Sequence, residues 1–338
     1  MDLNIIWFIL IVFILTGYAI LDGFDFGVGI LHLMHKTDEE RRISINSIGP
    51  LWDGNEVWLV VGGGALFAAF PEVYATVFSG FYNAFILLLL MLIFRGIAIE
   101  FRSKRESLKW RKGWDIFFSL GSFGAALLFG IAFGNLAAGV PLDAEKNITS
   151  GFMDLLNPYS IIVGLTAISL LTLHGAIFLI MKTEGEMRER VSKIIKKLIF
   201  VFISMYLISS LATFIYQPHL LEVFKNNPWL LVIPVATLLL VLNLPREIHF
   251  KREFKAFLTS SGTIALLISL VAIGLYPNLV YSNPDPGNSL NIYNSASSQG
   301  TLNIMFIIAC IGAPLVLSYT IAVYWIFKGK TKLDEHSY

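Results

Sequence analysis

The sequence has almost no cysteine and very little charge for a chain of 338 residues. Its single cysteine, Cys310, cannot form a disulfide, a CxxC pair or a thiolate cluster within the chain, which excludes redox chemistry by cysteine. Charged residues make up 14% of the chain and the net charge is +1, so no basic surface for nucleic acid is expected. The rest is apolar: 56% of residues are hydrophobic and the mean hydropathy is +0.70. These values indicate an all-α polytopic membrane protein.

Apolar runs of about 20 residues, the length that a bilayer requires, predict where the chain crosses the membrane. Nine such runs predict nine transmembrane helices near residues 5–33, 52–70, 73–101, 114–140, 159–181, 198–216, 229–244, 256–276 and 302–327. No break in composition separates these runs. We therefore expect residues 1–338 to form a single integral membrane domain.

The basic residues predict the orientation of these helices. All but three of the 25 lysines and arginines fall in alternate connecting segments, namely 36–42, 102–112, 182–197, 246–255 and 328–332. The remaining three are Lys146 and Lys225 in intervening loops and Arg95 inside a predicted helix. Because cytoplasmic loops are enriched in lysine and arginine, the amino terminus is predicted outside and the carboxyl terminus inside.

The first predicted helix contains an unusual stretch, LDGFDFGVGIL, at residues 21–31. An ionised carboxylate is costly in hydrocarbon, so Asp22 and Asp25 are candidate functional residues. They are three positions apart and lie on nearly the same face of a helix. Gly23 and Gly27 form a small-xxx-small pattern on which a second helix can approach closely.

Further ionisable residues are expected in the same layer near the cytoplasmic side: Asp53, Glu56, Arg95, Glu100 and Asp115. One interpretation is a hydrogen-bonded inlet through which protons enter the membrane. The alternative is a buried salt-bridge layer in which Arg95 neutralises Asp53 or Asp25. Asp53 also stands three residues before Glu56, the spacing of a capping box, which predicts a helix cap at Asp53.

Histidine decides whether the chain binds haem by itself, because a haem in a helix bundle needs axial ligands at facing depths. His174 is the only histidine well inside a predicted helix, so no intramembrane histidine pair exists. We expect His174 to make a hydrogen-bonded helix contact, with Thr172 or Ser169 nearby, rather than to be a ligand. The prediction is therefore that this chain alone binds no cofactor and no metal.

Four long stretches resemble a known family. They are LDGFDFGVGIL, then RRISINSIGPLWDGNEVWLVVGGGALFAAFPEVYATVFSGFY, then FRGIAIEFRSK, and FGNLAAGVP, all within residues 21–141. The sequence is similar here to subunit II of cytochrome bd-type quinol oxidases. The resemblance implies two four-helix bundles plus one extra helix.

The resemblance also implies a function and a set of partners. Such a complex lies in the bacterial or archaeal cytoplasmic membrane and oxidises ubiquinol or menaquinol. It reduces O2 to water with protons from the cytoplasm, and this reaction is electrogenic without proton pumping. Its larger subunit I holds two b-type haems, one d-type haem and the quinol site, so this chain alone is not expected to be catalytic. Contacts with lipid and quinone and a small single-helix third subunit are further expectations.

By the same resemblance, individual residues receive roles. Asp22, Asp25 and Asp53 are assigned to a proton pathway, and Glu56, Arg95 and Glu100 to the polar layer that supports it.

A proton-coupled membrane transporter that uses the same carboxylates is the alternative function. Transporters of this kind carry paired broken helices in two corresponding halves. Pro234 and Pro314 provide only an incomplete version of that pattern.

Overall fold

The computed structural model describes residues 2–333 and 337, and this part of the chain is almost entirely helical. Its α-helices are α1 (Leu3–Leu31), α2 (Asp38–Ile48), α3 (Trp52–Ala69), α4 (Pro71–Gly80), α5 (Tyr82–Phe101), α6 (Leu108–Ala138), α7 (Pro158–Lys182), α8 (Gly185–Tyr216), α9 (His219–Asn226), α10 (Val232–His249), α11 (Glu253–Leu275) and α12 (Gln299–Ile326). Two short antiparallel strands, β1 (Asn278–Val280) and β2 (Leu290–Asn291), precede α12.

Eight helices in the described residues are long and apolar enough to cross a membrane: α1, α5, α6, α7, α8, α10, α11 and α12. The predicted second span corresponds to α3, an 18-residue helix whose first turns are polar. The count of nine spans therefore stays a prediction. The helix predicted over 73–101 is divided in two, since α4 ends at Gly80 and α5 begins at Tyr82. Ser79 and Gly80 are weak helix formers, which favours a break there.

The long helices pack as two groups of four. The first group contains α1, α3, α5 and α6, and the second contains α7, α8, α10 and α11. The groups meet where α7 packs against α1 and α6. Helix α12 lies outside both groups, contacts α1 and α3, and has a single buried residue, Leu302.

The seam between α1 and α7 depends on glycine. A Cβ atom at Gly27 would lie 2.0 Å from the carbonyl oxygen of Leu171, and one at Gly175 would lie 2.4 Å from the carbonyl carbon of Gly27. The two backbones are therefore in direct contact, and the packing surface predicted at Gly23 and Gly27 is confirmed. This contact places the acidic stretch of α1 in the centre of the molecule.

The five basic segments lie together at one end of the molecule, which we call the basic side. Ion pairs join Arg41 to Asp115 and Arg190 to Glu40, and the amide of Thr331 donates to the carbonyl of Lys182 at 2.8 Å. At the opposite end, the loop after β2 and the first turn of α12 cover the beginning of α1: Asn4 donates to the carbonyl oxygen of Ile292 (2.7 Å) and Trp7 to that of Leu302 (3.0 Å). The candidate carboxylates of α1 lie toward the basic side.

Candidate functional site

Asp22 and Arg95 form an ion pair at the centre of the first helix group. Both residues are 0% exposed. Arg95 donates from Nη1 to Asp22 Oδ2 (2.8 Å) and from Nη2 to Asp22 Oδ1. The guanidinium also lies 4.4 Å from the ring centre of Phe26. The expected pairing of Arg95 with Asp53 or Asp25 is wrong, because α1 turns Asp22 rather than Asp25 toward α5.

Asp25 is also fully buried, but only one of its oxygens has a partner. Asn55 on α3 donates from Nδ2 to Asp25 Oδ2 at 2.8 Å. Asp25 Oδ1 is buried and has no hydrogen-bond partner among the described residues. Asp25 is therefore the carboxyl group of this site that retains an oxygen free to bind a proton.

The direction of the hydrogen bonds around Asn55 follows from its other neighbours. Asn55 Nδ2 also lies 3.2 Å from the carbonyl oxygen of Leu21, which can only accept. The amide oxygen must then face Tyr324 on α12, whose hydroxyl donates to it at 2.8 Å. Because Asp25 Oδ2 accepts from Asn55, a proton bound to Asp25 belongs on Oδ1. Neither Asn55 nor Tyr324 was predicted from the sequence, although Asn55 lies within the WDGNE part of the second quoted stretch; for Tyr324 the sequence carries no signal.

The other predicted site residues are spread over different environments. Asp53 is exposed on the basic side, and Glu56 is half-buried within electrostatic range of Arg95, Asp22 and Asp53. Glu100 is half-buried, and no hydrogen bond or ion pair of its side chain is present among the described residues. The structure therefore brings together Asp22, Asp25 and Arg95, with Glu56 within electrostatic range of all three, and leaves Glu100 apart. Asp53 interacts with Glu56 from an exposed position.

The predicted helix cap at Asp53 is wrong. Helix α3 begins at Trp52, so Leu51 is the N-cap residue and Asp53 already lies in the first turn. No side chain caps this end of α3. The Asp53 carboxylate is still favourable there, because it lies near the positive end of the helix dipole.

Asp115 belongs to a second cluster, whose partners differ from those of Asp22 and Asp25. Its carboxylate accepts from Arg102 Nε (2.5 Å) and Arg41 Nη1 (2.7 Å), and it lies 2.7 Å from His32 Nε2. Arg102 also pairs with Asp38 at 2.8 Å. These contacts join α2 and α6 to the segments that follow α1 and α5 on the basic side. The several cations around Asp115 give it a structural role.

His35 follows α1 and is 2% exposed. Burial, together with the neighbouring His32, lowers the pKa of His35 from 6.5 to about 4, while Glu40 partly opposes this shift. The Nε2 atom of His35 has no hydrogen-bond partner among the described residues. Burial therefore favours the neutral imidazole of His35 in the folded protein at pH 7.

This burial predicts a pH dependence of stability. The unfolded chain binds a proton at His35 below 6.5 and the folded chain only near 4, so the contribution of His35 is complete above 6.5 and is lost as the pH falls toward 4. We expect His35→Gln to remove a slope of up to about 1.4 kcal/mol per pH unit in this window. The thermal midpoint of the purified protein, measured from pH 4 to 7, checks this. The matched control is His249→Gln, at an exposed histidine; identical slopes in His35→Gln and wild type would refute the assignment.

His174 uses both ring nitrogens inside the second helix group. Nδ1 lies 2.7 Å from Ser260 Oγ and Nε2 lies 3.1 Å from the carbonyl oxygen of Ile20. The expected hydrogen-bonded helix contact is confirmed, but the expected partners Thr172 and Ser169 are wrong, because they lie on α7 itself. With both nitrogens engaged, His174 does not fit an axial haem ligand.

Known proteins resemble this chain over nearly its whole length. Residues 3–327 match the sequence profile of the cytochrome bd terminal oxidase subunit II family. The chain is 36% identical to cytochrome bd-I ubiquinol oxidase subunit 2 of Escherichia coli strain K12, over 98% of this chain and 96% of that protein. It is 35% identical to cytochrome bd ubiquinol oxidase subunit 2 of Bacillus subtilis strain 168, over 99% and 98%.

The fold has a match among solved structures as well. A chain of the bd oxidase from Geobacillus thermodenitrificans superposes with a TM-score of 0.80 at 18% identity, over 97% of this chain and 99% of that one. At this identity the similarity concerns the fold alone. The sequence match extends over nearly the whole chain, and this protein therefore belongs to the cytochrome bd terminal oxidase subunit II family.

Proposed function

We propose that this chain is the accessory subunit of a terminal quinol oxidase and that it delivers protons to its haem-bearing partner, subunit I. The observation that carries the proposal is the open oxygen of Asp25 beside the Asp22–Arg95 pair. One buried cation faces two buried carboxylates here. One carboxylate is neutralised by the cation, and binding a proton to the other makes the buried group neutral, which a low-dielectric interior favours.

The proposed route begins at Asp53, which is exposed on the basic side. It continues through half-buried Glu56 and ends at Oδ1 of Asp25. The role proposed for Asp22 differs from the one that the resemblance implies. Both of its oxygens accept from Arg95, so Asp22 acts as a fixed counter-ion rather than as a proton carrier. Arg95 in turn stabilises negative charge at the inner end of the route.

The orientation and the energetics follow from the same proposal. The basic side faces the cytoplasm, which agrees with the positive-inside rule. Protons then enter from the cytoplasm while the quinol, which is either ubiquinol or menaquinol, is oxidised. Charge is separated across the membrane without proton pumping. Two b-type haems and one d-type haem of the partner supply the oxygen-reducing chemistry. Both ring nitrogens of His174, the histidine inside α7, are engaged in hydrogen bonds, which supports this division of roles.

The transporter alternative is less well supported. Pro234 is the third residue of α10, where proline is tolerated, and the prolines inside helices are Pro245 in α10 and Pro314 in α12. These helices do not occupy corresponding positions in the two groups of four, as an inverted repeat would require. The buried carboxylates alone do not distinguish the two functions.

Purification through a tag on this chain tests the assignment. We expect a larger subunit to co-purify, with a visible haem spectrum and quinol-dependent oxygen consumption that scale together with the amount of this chain. The control is the same preparation from cells that lack the tagged chain. Recovery of the chain alone, stable, monodisperse and colourless, would contradict the oxidase assignment and favour the transporter.

A further inference from the structure

Helix α12 is attached to the rest of the molecule mainly at its two ends. Leu302 is its only buried residue, and it lies at the beginning of the helix. Near the other end, Tyr324 reaches across to α3 and donates to Asn55 Oδ1 at 2.8 Å. The outermost helix therefore supplies one member of the hydrogen-bond chain that ends on Asp25.

The residues after α12 form a strap across the end of α7; we define the strap as residues 327–331. Lys182 Nζ donates to the carbonyl oxygen of Phe327 (2.5 Å), and the amide of Thr331 donates to that of Lys182 (2.8 Å). Lys330 Nζ donates to the carbonyl oxygens of Ile180 (3.1 Å) and Thr183 (3.0 Å). The last carbonyls of a helix lack partners within the helix and carry partial negative charge, so an ammonium group binds well there.

The strap and the hydrogen-bond chain have a joint consequence. The strap begins at Phe327, directly after the last turn of α12, and Tyr324 lies in that turn. The position of the strap therefore limits where the Tyr324 hydroxyl can lie. That hydroxyl holds the oxygen end of the Asn55 amide, and this directs the NH2 end toward Asp25 Oδ2. Without the hydroxyl, only the carbonyl oxygen of Leu21 opposes rotation of the amide, so the donor to Asp25 is held less tightly.

We propose that Tyr324 is a positioning residue for Asp25, acting through Asn55, and that the strap holds Tyr324 in place. The consequence is that the exchangeable proton is confined to Oδ1 of Asp25. This inference rests on the proposed function, since it matters only if Asp25 carries protons.

Tyr324→Phe in the complete oxidase complex tests the inference, because it removes the hydroxyl and nothing else. We expect turnover per haem to fall about fivefold, the effect of losing one hydrogen bond between neutral groups. We also expect a shift in the infrared band of the Asp25 carboxyl group, identified as the band that Asp25→Asn abolishes. The matched control is Tyr319→Phe on the same helix, where the tyrosine is 65% exposed, and it should leave both turnover and band unchanged.

A second pair of variants addresses the strap without changing the helix. Lys330→Met removes both hydrogen bonds to the end of α7, while Lys332→Met changes an exposed lysine two residues later. We expect Lys330→Met to lower turnover about threefold, which corresponds to part of the free energy of one hydrogen bond. It should also shift the same infrared band in the same direction as Tyr324→Phe does. Lys332→Met should match wild type.

The possible results separate the two levels of the proposal. One result is that Asp25→Asn slows turnover while Tyr324→Phe keeps both the wild-type turnover and the wild-type infrared band. This result would overturn the positioning role and leave the proton route intact. Wild-type turnover in Asp25→Asn would overturn both. A fall in turnover for Tyr324→Phe without a change in the Asp25 band would also overturn the positioning role, because it would assign the effect to packing.

Discussion

Asp25→Asn is expected to slow quinol-driven oxygen consumption by about a hundredfold, the lower range of what a positioned proton-transfer group contributes. Asparagine has nearly the same shape, and its amide oxygen can accept the hydrogen bond that Asn55 donates to Asp25 Oδ2. The fold and the haem content of the complex should therefore be unchanged. Turnover per haem in the purified complex is the measurement.

The matched control for this variant is Glu106→Gln, which removes an exposed carboxylate on the basic side. It should leave turnover within about twofold of wild type, since surface changes of this kind have small effects. Wild-type turnover in Asp25→Asn at normal haem content would remove Asp25 from the proton route.

Arg95→Met is expected to destabilise the complex by about 3–5 kcal/mol, because removing one partner of a buried ion pair leaves an uncompensated charge. Asp22 would lose both of its hydrogen-bond donors, and no other cation is paired with it among the described residues. The expected result is a large loss of assembled, haem-containing complex from membranes. Haem content per milligram of membrane protein and the thermal midpoint of what remains are the measurements.

A double variant makes this prediction specific to the ion pair. Asp22→Asn combined with Arg95→Met removes both charges, so we expect it to recover a large part of the lost complex, as coupled neighbours do. Arg246→Met is the control at an exposed arginine. Equal losses in the single and double variants would show that Arg95 acts through packing, for example through its contact with Phe26.

Part of the fold and of the site follows directly from the sequence. Hydrophobic run length identifies the spanning helices, because the thickness of the bilayer sets the length of a span. The cost of a charge in hydrocarbon marks Asp22 and Asp25 as candidates from residue type and position alone. Gly27 marks a helix contact for a similar reason, since only a residue without a side chain permits backbones to touch.

The partners of these residues do not follow from the sequence. Which carboxylate Arg95 neutralises depends on the rotation of α1 relative to α5, and helical spacing does not determine that rotation. Tyr324 and Asn55 are 269 positions apart, so their hydrogen bond is a property of the tertiary fold. The partners of Asp115 do not follow from the sequence for a related reason: His32, Arg41 and Arg102 lie between the long helices, where the path of the chain depends on how those helices pack.

Proton uptake during a single turnover is the most direct test of the inlet. The complex is reconstituted in vesicles with its basic side outward, and a pH-sensitive dye in the medium reports uptake while the visible spectrum reports haem oxidation by O2. We predict that Asp25→Asn delays proton uptake by about a hundredfold relative to wild type and Glu106→Gln, while the first, proton-independent phase of haem oxidation keeps its rate. Uptake at the wild-type rate in Asp25→Asn would contradict the account.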